Sequence, residues 1–425
     1  MVRYNSYSYP QNGTKIDDWN KDSKYVIKMT RPSDICLAFN RYASDFYNAA
    51  HTVASSLLET DNTDISKLDT YIFPLAFLYR HSIELKLKAI AFQTINNREG
   101  RADFVKDTFH NLEEMLNVLE TILSNPRPEK EIAWLSNYFS DISRIDRESD
   151  SFRYPFHIKS DKSFNFKQFT IERIFKKQTH IDLVKFANKF EATYEILDKW
   201  YRKSLDGATE WREFAPIFIE EGGFYYGQSV VGYGYSRDDF YPYTFAYLET
   251  ASYLRQYMRE QVDLGNYEKV SGLFIPMCYL YRNCVELNLK TIWFEETGEE
   301  FQRRCKSMVA KKHSIIGMWN LIKPYAESCA TGNNDMEYIE ILENYCQQLH
   351  SIDSDSSMFR YPVKKDMMPY FKKNKRFDFI HTGIFLESLN NGLDSICSTL
   401  SAMNEYKAEM EYEYRSEMQS NYDYY

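Results

Sequence analysis

The sequence predicts a mostly α fold of two tandem, homologous helical bundles, and three observations carry that prediction. Glycine (15) and proline (12) are scarce in 425 residues, which favours helices over short strands joined by turns. Apolar residues recur at helical spacing through most of the chain. Three sequence blocks occur twice, in the same order and at nearly the same separation. A repeat is sought first because missing one misreads the whole fold.

The first block is Pro74-Leu-Ala-Phe-Leu-Tyr-Arg-His-Ser-Ile-Glu-Leu-Lys-Leu-Lys-Ala-Ile90. It matches Pro276-Met-Cys-Tyr-Leu-Tyr-Arg-Asn-Cys-Val-Glu-Leu-Asn-Leu-Lys-Thr-Ile292 at nine of 17 positions without a gap. The second is His110-Asn111-Leu112 against His313-Ser314-Ile315. The third pairs Asp146-Arg-Glu-Ser149 and Phe152-Arg-Tyr-Pro155 with Asp353-Ser-Asp-Ser356 and Phe359-Arg-Tyr-Pro362. Offsets of 202, 203 and 207 residues leave room for only short insertions. Residues 1–205 and 206–425 are therefore read as two repeats that form an intramolecular pseudo-dimer.

Each repeat is expected to hold about five helices, because its length and apolar periods suit a bundle. Ser33–Leu58 and Tyr243–Val262 open the two halves. Pro74–Thr94 and Pro276–Glu296 follow, with proline suited to a first turn where its missing N–H costs nothing. His110–Leu123 and His313–Ser328 come next, then Glu129–Ser143 and Asn333–His350. Ile181–Tyr201 and His381–Tyr406 close the halves. The junction, 206–243, holds six of the fifteen glycines. Within it, Ile217–Tyr226 reads as two apolar runs around Gly222-Gly223, a small β-hairpin. The acidic, tyrosine-rich tail, 409–425, has no apolar period and is placed on the surface.

The chain carries a net charge of −9, unevenly spread: residues 1–205 sum to +2 and the remainder to −11. No polybasic arm of the DNA-binding kind is present, so any nucleic-acid contact must be local. Seven cysteines without a C-x-x-C pair suit reduced thiols rather than a disulfide framework or a zinc site. The first residues lack the apolar core of a signal peptide, and no apolar run spans a bilayer. A cytoplasmic location is expected, with no cofactor and no metal.

At 100° per residue, Arg80, Glu84 and Lys88 lie on one stripe of a helix that is otherwise apolar, with His81 beside them. Arg282, Glu286 and Lys290 repeat the stripe, with Asn283 in the place of His81. A charged stripe on a central helix must be paired or face a cleft. The expected partners are Asp146, Glu148 and Arg153 in one half and Asp353, Asp355 and Arg360 in the other, with Tyr154 and Tyr361 beside them as candidate binding residues. The prolines push the preceding tyrosines towards extended geometry, which places that block on a loop. His110 and His313 either cap their own helices or join the network. Two readings of the cluster stay open: a satisfied salt-bridge network, or a polar cleft for an anion or nucleotide.

Tyr-Arg-His/Asn-x-x-Glu-Leu-x-Leu-Lys, the His-led helix start and the Arg-Tyr loop together resemble the HEPN superfamily of small helical bundles. The resemblance implies an RNA-directed component of a prokaryotic antiviral defence or toxin system, in its enzymatic form a metal-independent ribonuclease with a composite site between bundles. The family signature, Arg-x4–6-His, implies an arginine that stabilises phosphate and a histidine that handles protons. Arg80-His81 and Arg282-Asn283 match its opening, with Glu84 and Glu286 beside them, but Lys86 and Asn288 stand where it closes. Arg173/His180 and Arg376/His381 satisfy the spacing and form an alternative set. A non-catalytic scaffold or sensor, binding a partner protein, nucleotide or RNA, is the competing reading. No P-loop, Rossmann fingerprint, H-E-x-x-H or G-x-S-x-G pattern occurs.

Overall fold

The computed structural model describes residues 8–58, 65–123, 127–161, 168–204, 210–232 and 240–422. The chain is mostly α, as its scarcity of turn residues predicts. The first half runs β1 (Val26–Met29), α1 (Ile35–Leu58), α2 (Ile65–Thr94), α3 (Arg98–Thr108), α4 (Leu112–Ile122), α5 (Glu129–Asp146), β2 (Phe156–Asp161), β3 (Gln168–Arg173), β4 (Thr179–Asp182) and α6 (Leu183–Arg202). The second runs β5 (Gln228–Val231), α7 (Tyr241–Asp263), α8 (Phe274–Thr291), α9 (Phe301–Lys311), α10 (Ile315–Cys329), α11 (Asn333–Ile352), β6 (Lys375–Asp378) and α12 (Phe379–Tyr422).

Each half thus has six α-helices among its described residues, not five. The additions are α3 and α9, whose apolar signal is weak: α3 buries only Phe104 and Thr108, and α9 only Cys305 and Met308. Pro276 sits in the first turn of α8 as expected. Pro74 does not sit at a helix start, because α2 begins nine residues earlier and carries the proline inside. That position forgoes one backbone hydrogen bond, a loss set against the burial of nearly every residue from Tyr71 to Phe92. Side-chain caps fix several starts. Asn111 accepts from the N–H groups of Glu113 and Glu114, Ser314 from Gly317, and Asp182 from Lys185. Asp378 accepts from Ile380 and His381 at the start of α12.

The junction hairpin does not form. Gly222 and Gly223 do adopt positive φ, but the chain before them bridges to Ile181 and the chain after them, β5, pairs with β4. Both sides of the turn find β4 rather than each other. From Tyr406 to Gln419, α12 is exposed and helical, where the sequence suggested only an aperiodic surface tail.

The strands cross between halves. Antiparallel β1 pairs with β6 over Val26↔Asp378 to Met29↔Lys375, and β5 pairs with β4 over Gln228↔Asp182 to Val231↔Thr179. In each case the strand before a first helix joins the strand before the other half's last helix. The two central helices cross as well: α2 packs on α1, α4 and α6 and on α7 of the other half, and α8 on α7, α10 and α12 and on α1. Phe77 stacks on Tyr279, which holds the matching place in the repeated block, with ring centroids 4.3 Å apart. The two rings thus meet across the halves at matching positions of the repeated block. All seven cysteines are free, and no helix of the described residues is long and apolar enough to cross a membrane.

Candidate functional site: a reciprocal clasp beneath a cationic cleft

Helix α2 is buried on all sides, so its charged stripe is buried too: Arg80, Glu84 and Lys88 are each at most 1% exposed. Unpaired, such charges would be very costly. Glu84 is therefore surrounded by donors, with Lys88 Nζ at 2.6 Å, Arg80 Nη1 at 3.3 Å, His110 Nδ1 at 3.1 Å and the Tyr361 hydroxyl at 2.8 Å. The second half repeats the set around Glu286. Lys290 Nζ lies at 2.7 Å, His313 Nδ1 at 3.0 Å and the Tyr154 hydroxyl at 2.6 Å, with Arg282 completing it. Each tyrosine comes from the opposite half. Lys88 stands 4.8 Å over the Tyr361 ring and Lys290 4.0 Å over the Tyr154 ring, cation–π contacts that help replace lost hydration.

Burial alone would push the Glu84 carboxyl up, but Lys88 and His110 outweigh it and hold the group well below the carboxylate range. Lys290, His313 and Arg282 do the same for Glu286. Burial lowers Lys88, Lys290 and His110 and pushes both tyrosines well up. For His313 the Glu286 charge pulls upward, yet burial with Arg153 and Lys290 leaves it lowered. Neutral imidazoles whose Nδ1 donates to a carboxylate keep Nε2 free as a base.

The arginines expected to meet phosphate are buried and turn their donors on the protein's own carbonyls and carboxylates. Arg80 Nη2 donates to the His110 carbonyl at 2.6 Å and to the Arg147 carbonyl at 3.1 Å, while Nε meets Asp146 at 3.0 Å. Arg282 Nη2 donates to the His313 carbonyl at 2.6 Å and its Nε faces Asp353 at 3.3 Å. Their task is to hold the turns that carry the histidines. Those turns are strained: Phe109 has φ 46° and ψ −109°, and Lys312 has φ 51° and ψ −110°. In both, the residue after the histidine donates back to close a tight turn, Asn111 to the Thr108 carbonyl and Ser314 to the Lys311 carbonyl. Side chains rarely adopt that backbone, and it persists only where surroundings enforce it. Capping belongs to Asn111 and Ser314, so the histidines join the network.

His81 is buried beneath Tyr361, its Nε2 donating to the Arg360 carbonyl at 3.0 Å. Burial lowers its pKa to about 3. Asn283 accepts from the Tyr279 hydroxyl at 3.4 Å. Neither faces open space. Arg153 Nη2 donates to the Tyr154 hydroxyl at 3.0 Å, and Arg360 Nε to the Ser356 carbonyl at 2.5 Å. Glu148 takes no part in the contacts around Arg80, whereas Asp355 lines the cleft described below.

The alternative set is not brought together. Arg173 ends β3, whereas His180 lies on β4 and shares a hydrogen bond with Gln228 at 3.3 Å. Arg376 covers the Trp19 ring at 5.0 Å, and His381 Nε2 donates to the Lys15 carbonyl at 2.7 Å. By strand register Arg376 matches His180, not Arg173. The two spacing matches are not structural equivalents.

Above the clasp lies a cleft of about 780 Å³ lined by both halves. His110 and His313 both face it, with Lys88, Arg360 and Tyr361 on its floor. Lys106, Lys311, Lys312, Lys364 and Lys365 ring it, so seven cationic side chains oppose three acids, Asp103, Asp355 and Asp366. The five outer lysines escaped the sequence reading. Their signal was present in Lys311-Lys312 directly before His313 and in Lys364-Lys365, separated from Pro362 only by Val363. Among the described residues no group of three or more His, Cys, Asp or Glu is arranged to hold a metal ion. Comparison with family models, curated proteins and solved structures finds no match for this chain.

Proposed function

We propose that this protein binds RNA in the cationic cleft between its halves and cleaves it by metal-independent proton transfer, with His110 as the base. The observation that carries the reading is the lining: seven cations and two histidines in one cleft of an otherwise acidic chain. Lysines at such density neutralise phosphates and draw RNA in. In the proposed step, His110 Nε2 takes the proton of a 2′-hydroxyl. The 2′-oxygen attacks the adjacent phosphorus, and the bond to the 5′-oxygen breaks. The leaving 5′-oxygen takes its proton from solvent water, and the His110 imidazolium then releases its own proton to solvent, which restores the base. Glu84 orients His110 and favours its charged form as it accepts the proton. The resemblance to HEPN proteins sets this activity in a defence or toxin system.

The test is incubation of the purified protein with mixed tRNA in EDTA. Wild type is expected to leave 2′,3′-cyclic phosphate ends, and His110→Ala to slow cleavage at least about hundredfold, the lower range for a general base. Cleavage that requires added metal, or that is indifferent to His110, would overturn the catalytic claim. One observation favours a second reading: the clasp residues are satisfied by one another, which suits a scaffold. In that case RNA binds, weakens on Lys364→Glu/Lys365→Glu, and is never cut. Absence of any binding removes both readings.

A further inference from the structure

We infer that Phe109 is a stacking platform for an unpaired base, making the cleft selective for single-stranded RNA; the inference rests on the RNA reading above. Phe109 is 59% exposed and lines the cleft directly beside His110. A large apolar ring at that exposure gains nothing from folding, and its positive φ adds strain that any residue except glycine would feel. The turn's shape does not demand phenylalanine, because Lys312 occupies the same turn in the other half with the same φ and ψ. One rim of the cleft therefore offers a ring face at the place where the other offers an ammonium. Single-stranded nucleic acid requires that combination: a base stacks on the aromatic while cations follow the backbone. A paired base has its faces covered by neighbours and cannot use the ring. Phe109 is a specificity-determining residue by this account, since the adjacent His110 then meets the sugar of the stacked nucleotide.

The experiment is fluorescence anisotropy with a labelled RNA 12-mer, the same 12-mer annealed to its complement, and a 12-mer with abasic central positions. Wild type, Phe109→Ala, Phe109→Trp and Lys364→Glu/Lys365→Glu are compared, with thermal melts to confirm folding. Wild type should prefer the single strand to the duplex by about tenfold or more, the scale of one stacked base. Phe109→Ala should lose that preference while keeping its duplex affinity, and Phe109→Trp should retain it. Removing the central bases should cost wild type about tenfold and Phe109→Ala almost nothing. Unchanged single-strand affinity in Phe109→Ala, alongside weakened binding in the double charge reversal, overturns the stacking role and leaves the cleft reading standing. Binding by no form, or binding indifferent to the charge reversal, overturns the cleft reading itself.

Discussion

The two clasps are built alike at five positions and differ at a sixth. Arg80, Glu84, Lys88, His110 and Tyr361 superpose in role on Arg282, Glu286, Lys290, His313 and Tyr154. The sixth place holds His81 in one half and Asn283 in the other. What recurs is the set that neutralises a buried carboxylate and fixes a histidine-bearing turn. What varies is the reach of the neighbour: His81 bonds across the halves to the Arg360 carbonyl, whereas Asn283 meets Tyr279 one turn away on its own helix. A side chain adjacent to the motif arginine is thus part of the packing, and the histidine that bonds the buried carboxylate comes from about thirty residues further on.

The most severe way to break the equivalence is to remove a carboxylate. Glu84→Gln and Glu286→Gln each leave a buried lysine without its counter-charge, the arginines keeping Asp146 and Asp353, and each is expected to destabilise the fold by about 3–5 kcal/mol. Urea denaturation of both should give similar losses; a cost confined to one half would show that the clasps are not equivalent. Tyr154→Phe and Tyr361→Phe remove one hydrogen bond to a charged group, worth about 1.5–3 kcal/mol each. Because the tyrosines lie in separate clasps, the double variant should lose the sum of the two singles within about 0.5 kcal/mol. Strong non-additivity would mean that the clasps share one network.

The smallest effect sharpens the difference at the sixth place. His81 is buried and neutral, with its pKa lowered to about 3, against about 6.5 in an unfolded chain. The unfolded state therefore binds more protons between those values, and His81 withdraws stability as pH falls from about 6.5 towards 3. At neutral pH its contribution is complete. His81→Asn, which copies the second half, should flatten the fall in urea midpoint between pH 7 and pH 4. An unchanged acid slope would assign that fall to other groups.

Much of this was legible in the chain itself, for a physical reason. A charged stripe on an apolar helix cannot be silent, so Arg80, Glu84 and Lys88 marked a buried cluster before any contact was known. The acids of the third block were recognisable as partners because they recurred with the stripe, whereas its tyrosines, which complete both clasps, were not read as partners. Nothing local, however, told that Tyr154 would serve Glu286 and Tyr361 would serve Glu84, since that exchange is decided by how the halves pack. Which way the arginines turn was not legible, because a motif lists residue types, whereas packing decides which of them meets solvent. Helices α3 and α9 went unseen because each buries only two side chains. The cleft lysines were hidden for the opposite reason: exposed lysines carry no period, and only the fold converges them.

The crossing of β1 to β6 has a consequence for biogenesis. During synthesis Val26–Met29 emerges long before Lys375–Asp378 exists to pair with it, and Glu84 waits as long for the Tyr361 hydroxyl. Contacts this distant in sequence are slow to close, so the nascent first half carries a bare sheet edge and an incompletely neutralised carboxylate until Tyr361 and Lys375–Asp378 have been made. Translation pauses near the junction would prolong that exposure, and a chain halted there has no partner strand to recruit except from another molecule.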